Sequence, residues 1–347
     1  PAGSTEPVIT VGPITQENDA VLLRRLTIDQ CANSIGAIVC QENSRVQIDY
    51  CEISGSASSG IHTYRPEYVK IKDCDIHHNA HHGLSLWAGA GAGYHQGVML
   101  CNIHHNEKRG IWATNPLGAT ADGQPARILV NNCVIHHNQD GGVHLLNELS
   151  ANIFYTTIAH NTAPNGAGVM VDPGAFARLK GSIVAFNKKG RGIFVAQNGS
   201  ASVHLCDFYQ NEGGTYSGQG CNYDTSMDEQ TCLAEDPLFA NQATADYHLK
   251  SAGGRYDPAQ NSWVIDAVTS PCIDAMEWYD DVGSEPEPNG DAANFGAYGR
   301  SDEASKTPAA TGTGRDKSTD RTREKPKEDR DTTDREQKPG QREGSGR

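Results

Sequence analysis

Hydrophobic and polar residues alternate in short runs along most of the chain. Apolar residues fall two positions apart in these runs, as do Val69 and Ile71, and Ile128 and Val130. A period of two predicts β-strands, because successive side chains of a strand point to opposite faces. No run of about 18 apolar residues occurs, so we expect no membrane-spanning helix.

A small residue recurs at one position of a longer repeat. The register positions are Cys31, Cys51, Cys74, Cys101, Cys133, Thr156, Ser182 and Cys206. A second short strand then opens at a glycine, at Gly60, Gly83, Gly110, Gly142, Gly168 and Gly192. The segments between the strands are too short for crossover helices, so successive repeats must stack in parallel at about 4.8 Å. The pattern predicts an all-β right-handed parallel β-helix, a solenoid of about 8 to 10 coils with an irregular C-terminal cap.

An asparagine ends each repeat segment before the glycine. These residues are Asn79, Asn106, Asn138, Asn161, Asn187 and Asn211. Asparagine tolerates the left-handed backbone conformation of tight turns, and stacked amides can hydrogen-bond from coil to coil. We therefore expect the six residues to form a structural ladder.

Composition divides the chain into four predicted regions. We expect an N-terminal extension at 1–21, β-helix repeats at 22–212, terminal coils with a closing module at 213–300, and a disordered charged tail at 301–347. Basic and acidic residues nearly cancel in the tail, so the net charge of −14 belongs almost entirely to the body. This acidic body argues against nucleic acid as a partner, because proteins bind nucleic acid largely through Lys and Arg that neutralise its phosphates.

The Ile-His-His-Asn and Gly-Ile-x-Leu patterns resemble the repeats of the pectate-lyase-like superfamily of parallel β-helices. Segments 236–239, 246–249, 270–275 and 294–299 resemble the closing module of secreted bacterial β-helix proteins. This resemblance implies the fold and secretion, since members include lyases, hydrolases, epimerases and proteins of no known activity. We expect a monomer that is secreted or displayed at the cell surface. The polar start at Pro1 fits a chain from which an export signal has been removed.

Six of the ten cysteines occupy the register position. A stacked cysteine behaves as a small buried hydrophobe, so we expect reduced, packed thiols there. Cys221 and Cys232 lie outside the register and are the candidates for a disulfide, whereas Cys40 and Cys272 stay unassigned.

Paired histidines precede the asparagine in three successive repeats. His77, His104 and His136 alternate with inward isoleucines, so they should face outward one above another. We interpret these histidines as repeat surface and assign no metal site. Copper or zinc binding is the alternative, because stacked imidazoles suit both ions.

The strand that starts at the glycine presents an aromatic and polar outer face. Its first outward row is His62, Ser85, Trp112, His144, Met170 and Phe194, and Tyr64, Trp87, Asp172 and Ala196 lie two positions further along. Aromatic rings suit the C–H faces of sugars, so we expect a polysaccharide partner here. The substrate-binding candidates are Trp87, Trp112, Glu67, Asp172 and Phe194. The insertions 88–97 and 115–125 would either wall a groove or bury these rings.

The ionisable groups of this face suffice for lyase or epimerase chemistry on a uronic acid. His62 or His144 would be the base, Tyr64 the acid, and Arg65 the cation that neutralises the carboxylate. Segment 60–64 is similar in position to the catalytic strand of alginate epimerases. However, His62 stands where that family has Asp, and Tyr64 stands where it has His.

Five carboxylates cluster among glycines and prolines of the closing module, at Asp280, Asp281, Glu285, Glu287 and Asp291. Calcium is the cofactor that such oxygen-rich loops can hold, and a solvated acidic cap is the alternative. Two functions stay open at this point. The chain is either an extracellular lyase or epimerase of an acidic polysaccharide, or a non-catalytic surface or carbohydrate-binding module.

Overall fold

The structure is a computed structural model that describes residues 6–13, 20–32, 35–88, 94–116, 118, 125–217, 222–223 and 232–309. All of them fall in one compact unit, Pro1–Gly312. In the described part of the chain, no helix has the length and apolar character needed to cross a membrane.

Three parallel sheets form the walls of a solenoid, with strands numbered in chain order. Sheet A contains β1 (Ile9–Val11), β4 (Gly36–Cys40), β7 (Ser59–Tyr64), β10 (Leu84–Trp87), β13 (Ile111–Thr114), β16 (Val143–Leu146), β19 (Gly166–Val171), β22 (Arg191–Val195) and β25 (Tyr216–Ser217). Sheet B contains β2 (Val21–Arg24), β5 (Arg45–Asp49), β8 (Tyr68–Lys72), β11 (Tyr94–Met99), β14 (Ala126–Asn131), β17 (Leu149–Phe154), β20 (Phe176–Lys180), β23 (Ser200–His204) and β26 (Asn222–Tyr223). Sheet C contains β3 (Thr27–Asp29), β6 (Glu52–Ser54), β9 (Asp75–His77), β12 (Asn102–His104), β15 (Val134–His136), β18 (Thr157–Ala159), β21 (Ile183–Ala185) and β24 (Asp207–Tyr209).

The predicted right-handed parallel β-helix is confirmed, but it has about 7 turns and not 8 to 10 coils. The turns run from the register position at Cys31 to that at Cys206. Beyond β26 the described chain leaves the solenoid and forms antiparallel pairs, β27 (Phe239–Asn241) with β28 (Asp246–Leu249) and β29 (Arg255–Asp257) with β30 (Ser262–Val264). The additional coils expected after residue 212 are therefore largely replaced by hairpins.

The solenoid core is filled by the inward rows of the three sheets. The inward residues of sheet A, from Ile61 to Ile193, are fully buried. Inward residues of sheet B such as Ile71, and of sheet C such as Ile103, are buried with them. The register cysteines are buried free thiols, as predicted. The Cys74 thiol donates to the backbone oxygens of Lys72 at 3.2 Å and Ile48 at 3.5 Å. Cys221 lies outside the described residues, so its pairing with Cys232 stays a prediction.

The asparagine ladder is confirmed. All six side chains are buried, and the amide nitrogen of each of the first five donates to the side-chain oxygen of the next, at 2.9 Å for both Asn79 to Asn106 and Asn106 to Asn138. The repeated position of the asparagine amide also explains the glycine that starts the next strand. A Cβ on Gly83 would lie 2.8 Å from the amide nitrogen of Asn106.

The left-handed turn conformation, however, belongs to the residue before each asparagine. His78, His105 and His137 have φ values of 52°, 52° and 53°. The asparagines themselves are not in this region, since their amides must point inward to reach the neighbouring coil. The expectation that the asparagines themselves occupy the left-handed turn positions was therefore wrong.

The closing module, residues 232–309, packs against the outer face of sheet C. Phe239, Tyr247 and Phe295 form a second hydrophobic cluster with Ala159 and Ile183 of the solenoid. Residues 301–309, which the composition placed in the charged tail, belong to this module. The Ser305 hydroxyl donates to the Leu249 backbone oxygen at 2.5 Å, and Lys306 lies over the Trp263 ring at 4.2 Å.

Candidate functional site

Sheet A stacks its outward residues in continuous rows because its strands pair in register. His62 lies beside Ser85, Ser85 beside Trp112, and Trp112 beside His144. Met170 and Phe194 continue the same row. Tyr64 and Trp87 are likewise register partners in the second row. The first row and the Tyr64–Trp87 pair of the second row therefore lie as the sequence predicted.

Three aromatic rings form a contiguous strip on this face. The centroids of Tyr64 and Trp87 are 5.4 Å apart, and those of Trp87 and Trp112 are 6.3 Å apart. His62 meets the edge of Trp87 at 5.7 Å. Tyr64 is 40% exposed and both tryptophans are half-buried, so the strip presents ring surface to the outside.

The junction between Trp87 and the following insertion is fixed by buried hydrogen bonds. The Gln96 amide donates to the Trp87 backbone oxygen at 3.0 Å, and the Thr63 hydroxyl donates to Gln96 Oε1 at 3.0 Å. Half of insertion 88–97 and most of insertion 115–125 lie outside the described residues. Whether they wall a groove therefore stays a prediction.

His144 and Asp172 form a close pair at one end of the aromatic strip. His144 Nε2 lies 3.0 Å from Asp172 Oδ2, with 13% and 24% of the two side chains exposed. A carboxylate that accepts the Nε2 proton leaves a lone pair on Nδ1, so the imidazole can act as a proton acceptor. The sequence named both residues but did not predict that they would meet.

Two buried residues that the sequence did not single out support this end of the strip. The His82 ring stacks on Trp112 at 5.7 Å, and its Nδ1 accepts the backbone N–H of Arg109 at 3.2 Å. Arg109 donates from Nη1 to the Gly166 backbone oxygen at 3.3 Å, and its Nη2 lies 3.6 Å from Met170 Sδ. His82 and Arg109 each come directly before a recurring glycine, at Gly83 and Gly110. That position in the repeat was the one sequence feature that could have identified them.

Burial shapes the electrostatics beneath the face. It lowers the pKa of His82 to about 3, with neighbouring positive groups adding to the effect. Burial also lowers the pKa of Arg109, and the nearby carboxylates of Asp140 and Asp172 raise it by a smaller amount. A guanidinium stays charged at neutral pH in spite of such a shift. Arg109 Nε also lies 3.6 Å from Asp140 Oδ2, so the His144 end of the strip has a buried guanidinium whose charge Asp140 offsets in part.

His62 lies at the other end of the strip. Its Nδ1 is 3.0 Å from the Ser85 hydroxyl, and burial lowers the pKa of His62 to about 4, so the ring is neutral at pH 7. Three coils separate it from His144, a distance of about 14 Å at the usual strand spacing. The two histidines therefore cannot act on one sugar carbon together.

Other predicted site residues lie apart from these two ends. Arg65 pairs with Glu42 at 3.1 Å, and Glu67 pairs with Arg45 at 2.9 Å, at the turn after β7. Phe194 is three coils beyond Trp112 in the first row and is not part of the aromatic strip. The structure thus brings together Tyr64, Trp87 and Trp112, and separately His144 and Asp172.

Three of the five acidic residues singled out in the closing module, Asp280, Asp281 and Glu285, are engaged within the protein. Asp280 pairs with Lys180 at 2.7 Å, and Asp281 pairs with Arg300 at 2.6 Å. Glu285 Oε1 accepts the backbone N–H groups of Asn294 and Arg300. No group of three or more His, Cys, Asp or Glu side chains suited to hold a metal ion occurs among the described residues.

A comparison with protein-family models agrees with the architecture. A family model described as a right-handed β-helix region matches residues 12–115 and 88–228, more than half of the chain. A crystal structure of pectate lyase Pel9A is similar with a TM-score of 0.42 and 14% sequence identity, over 85% of this chain and 86% of that one. No curated protein matches the chain.

Proposed function

Because the chain belongs to the right-handed β-helix family, whose flat sheets suit extended ligands, we propose that sheet A binds an acidic polysaccharide and acts on it as a lyase or epimerase. The observation that carries the proposal is the half-exposed strip of Tyr64, Trp87 and Trp112, which ends at the His144–Asp172 pair. Contiguous rings provide stacking surface for successive sugars. The neighbouring pair provides a proton acceptor.

In this proposal His144 is the base that removes the C5 proton of a uronate; the C4–O bond then breaks, and the imidazolium returns the proton to the departing glycosidic oxygen. Epimerisation would instead take the new C5 proton from water on the opposite face, with the imidazolium releasing its proton to solvent. Asp172 positions the imidazole and stabilises the imidazolium that forms. The buried Arg109 guanidinium, whose charge Asp140 offsets only in part at 3.6 Å, contributes positive potential where the intermediate gains negative charge. Arg65, paired with Glu42, is left to a peripheral role, and His62 with Tyr64 would bind sugars at the opposite end.

A second candidate is a non-catalytic carbohydrate-binding module. The observation in its favour is that Arg65 and Glu67 are both held in ion pairs, so the cation and one polar group assigned to the substrate are already neutralised. The aromatic strip alone would then account for binding.

Binding is tested by titrating the protein with polygalacturonate and alginate, using tryptophan fluorescence, with neutral dextran for comparison. Trp87→Ala and Trp112→Ala should each weaken binding at least tenfold, since stacking is lost. Trp278→Ala is the matched control, because Trp278 is 42% exposed but lies in the closing module. Failure of the unaltered protein to bind any glycan on an array would reject the proposal.

Catalysis is tested by following the unsaturated product and the C5 epimer ratio on a polymer that binds. Asp172→Asn should lower kcat about 10²-fold or more while leaving KM nearly unchanged, as expected when a positioned base loses its partner. Retained binding without any turnover, in both the unaltered protein and the variant, would favour the non-catalytic module.

A further inference from the structure

Sheet C carries paired imidazoles outside the site described above. The rings of His77, His104 and His136 are stacked 4.9 and 4.8 Å apart, as the sequence predicted. The rings that follow them, His78, His105 and His137, form a second stack at 5.2 and 4.9 Å. The coil repeat therefore creates two parallel rows of histidines.

Within each coil the two rows meet through the same atoms. Nδ1 of His77 lies 2.7 Å from Nδ1 of His78, and Nδ1 of His104 lies 2.8 Å from Nδ1 of His105. The third pair, His136 with His137, repeats the distance of 2.8 Å. Since two N–H groups would repel at this distance, each pair holds at most one proton between its nitrogens.

The first histidine of each pair faces an oxygen of the preceding coil with its Nε2, which for His77 is Glu52 Oε1 at 3.5 Å. His104 Nε2 lies 3.0 Å from Asp75 Oδ1, and His136 Nε2 lies 3.1 Å from Asn102 Oδ1. An oxygen acceptor at Nε2 requires the proton there, which leaves the Nδ1 lone pair directed at the partner ring. Metal-binding histidines are commonly oriented in this way by an acceptor on the other ring nitrogen.

The separation of the two nitrogens points to a particular coordination geometry. Two nitrogens bound at about 2.0 Å and at a right angle lie about 2.8 Å apart, whereas tetrahedral ligands lie about 3.3 Å apart. Right-angled imidazole ligands are typical of tetragonal Cu²⁺. We propose that the His77–His78 and His104–His105 pairs each chelate one Cu²⁺ ion through their Nδ1 atoms, with water completing the coordination.

The third pair is excluded by the closing module. His136 is only 2% exposed and its ring lies 5.1 Å from that of Tyr247. His78 and His105, in contrast, are exposed. The expected stoichiometry is therefore two ions per chain, with Asp75 offsetting part of their charge.

The full chain is titrated with CuCl₂ and examined by equilibrium dialysis and electron paramagnetic resonance. About two ions should bind: the first should show nitrogen hyperfine splitting from two imidazoles, and the second, one coil away with rings 4.9 and 5.2 Å apart, should add dipolar broadening. His78→Asn and His105→Asn should each remove one ion, and the double variant should lower copper affinity at least tenfold. Asparagine tolerates the left-handed backbone of these positions, so the fold is preserved.

His160→Asn is the matched control. His160 occupies the corresponding left-handed turn position with φ of 57°, but Ala159 precedes it, so no pair exists. This variant should keep both ions. Unchanged copper stoichiometry in the double variant, or loss of copper in the control alone, would overturn the proposal. Glycan binding through Trp112 should be unaffected by any of these substitutions.

Discussion

Single residues at the seam between solenoid and closing module are under strong steric constraint. Gly296 has φ of 88°, and its backbone N–H donates to the Gly181 oxygen at 2.8 Å. A Cβ there would lie 2.9 Å from both Ile183 Cδ1 and Thr157 Oγ1. Only glycine satisfies this backbone conformation and this close approach at once.

Gly296→Ala should therefore lower the free energy of unfolding by roughly 1–3 kcal/mol from backbone strain alone, and by more from the clash. Chemical denaturation measures the change. Gly97→Ala is the control, because the nearest atom to an added Cβ at Gly97 is 4.0 Å away. Equal destabilisation by both substitutions would contradict the assigned constraint.

Glu285 couples the stability of the module to pH. Burial raises the pKa of this carboxyl from 4.5 to about 7, and its Oε2 is buried without a hydrogen-bond partner. The folded state then holds the proton over a range in which the unfolded state has released it. Stability from this residue is present below pH 4.5 and falls as the pH rises to about 7.

Glu285→Gln should remove this dependence, since the amide mimics the protonated acid. At pH 4.5 the unaltered protein should be the more stable of the two relative to its position at pH 8. Between these pH values the difference in unfolding free energy between the two proteins should change by on the order of 3 kcal/mol. Parallel stability curves for the two proteins would show that the carboxyl is ionised throughout.

At the scale of elements, the turns between sheets C and A are held by the asparagine ladder. Asn106 accepts from both the backbone N–H and the amide of Asn79, and it donates to Asn138 and to the Ile76 oxygen. Each ladder amide thus satisfies groups of two neighbouring coils. Loss of one rung leaves buried polar groups unpaired on either side.

Asn106→Ala should lower the free energy of unfolding by roughly 2–4 kcal/mol, because two donors of Asn79 lose their acceptor. Thermal and denaturant unfolding followed by circular dichroism measure the loss. Glu107→Ala, an exposed change one residue away, should have little effect. A ladder variant as stable as this control would show that water replaces the missing amide.

At the scale of the whole molecule, the closing module covers part of sheet C and leaves the rest open. Phe295, 1% exposed, packs in the cluster with Ile183 and Ala159 of the solenoid. The strands beneath the module are β15, β18, β21 and β24, whereas β6 and β9 contribute nothing to this cluster. Removal of a buried phenylalanine costs about 3–5 kcal/mol.

Phe295→Ala should therefore increase amide hydrogen exchange in β15, β18, β21 and β24 while leaving β6 and β9 nearly unchanged. Mass spectrometry of the exchanged peptides resolves the two groups of strands. A uniform increase along sheet C would instead mean that the solenoid unfolds as one cooperative unit.

The charges of the solenoid also segregate between its sheets. Strands of sheet B contain Arg24, Arg45, Lys70, Lys72, Arg127, Arg178 and Lys180, with Asp49 as their one carboxylate, although the chain has a net charge of −14. Lys70, Arg127 and Arg178 form no ion pair within the described residues. This face can attract a polyanion toward the neighbouring sheet A.

Lys70→Gln combined with Arg178→Gln should weaken polyuronate binding a few-fold at low salt and have little effect at high salt, because screened charges act over about 10 Å at 0.1 M. Fluorescence titrations at several salt concentrations measure this. Trp112→Ala should weaken binding at every salt concentration. Loss of all binding in the charge variant would instead place the polymer on sheet B.

The sequence by itself determined the coil architecture of this protein. Inward apolar residues, register cysteines, starting glycines and ladder asparagines repeat because every coil meets the same neighbours, so local patterns suffice to predict them. The same repetition predicted the two neighbouring outward rows that contain Trp112 and Trp87.

Only the tertiary structure decided which side chains meet across coils. His144 and Asp172 are 28 residues apart, and Arg109 reaches Gly166 across 57 residues, so their contacts depend on the length of every intervening turn. The sequence pattern also did not predict that the closing module packs on sheet C. That position depends on contacts between distant parts of the chain, such as that of Gly296 with Ile183. Periodicity describes a coil and its neighbour, whereas these contacts join parts of the chain that share no repeat.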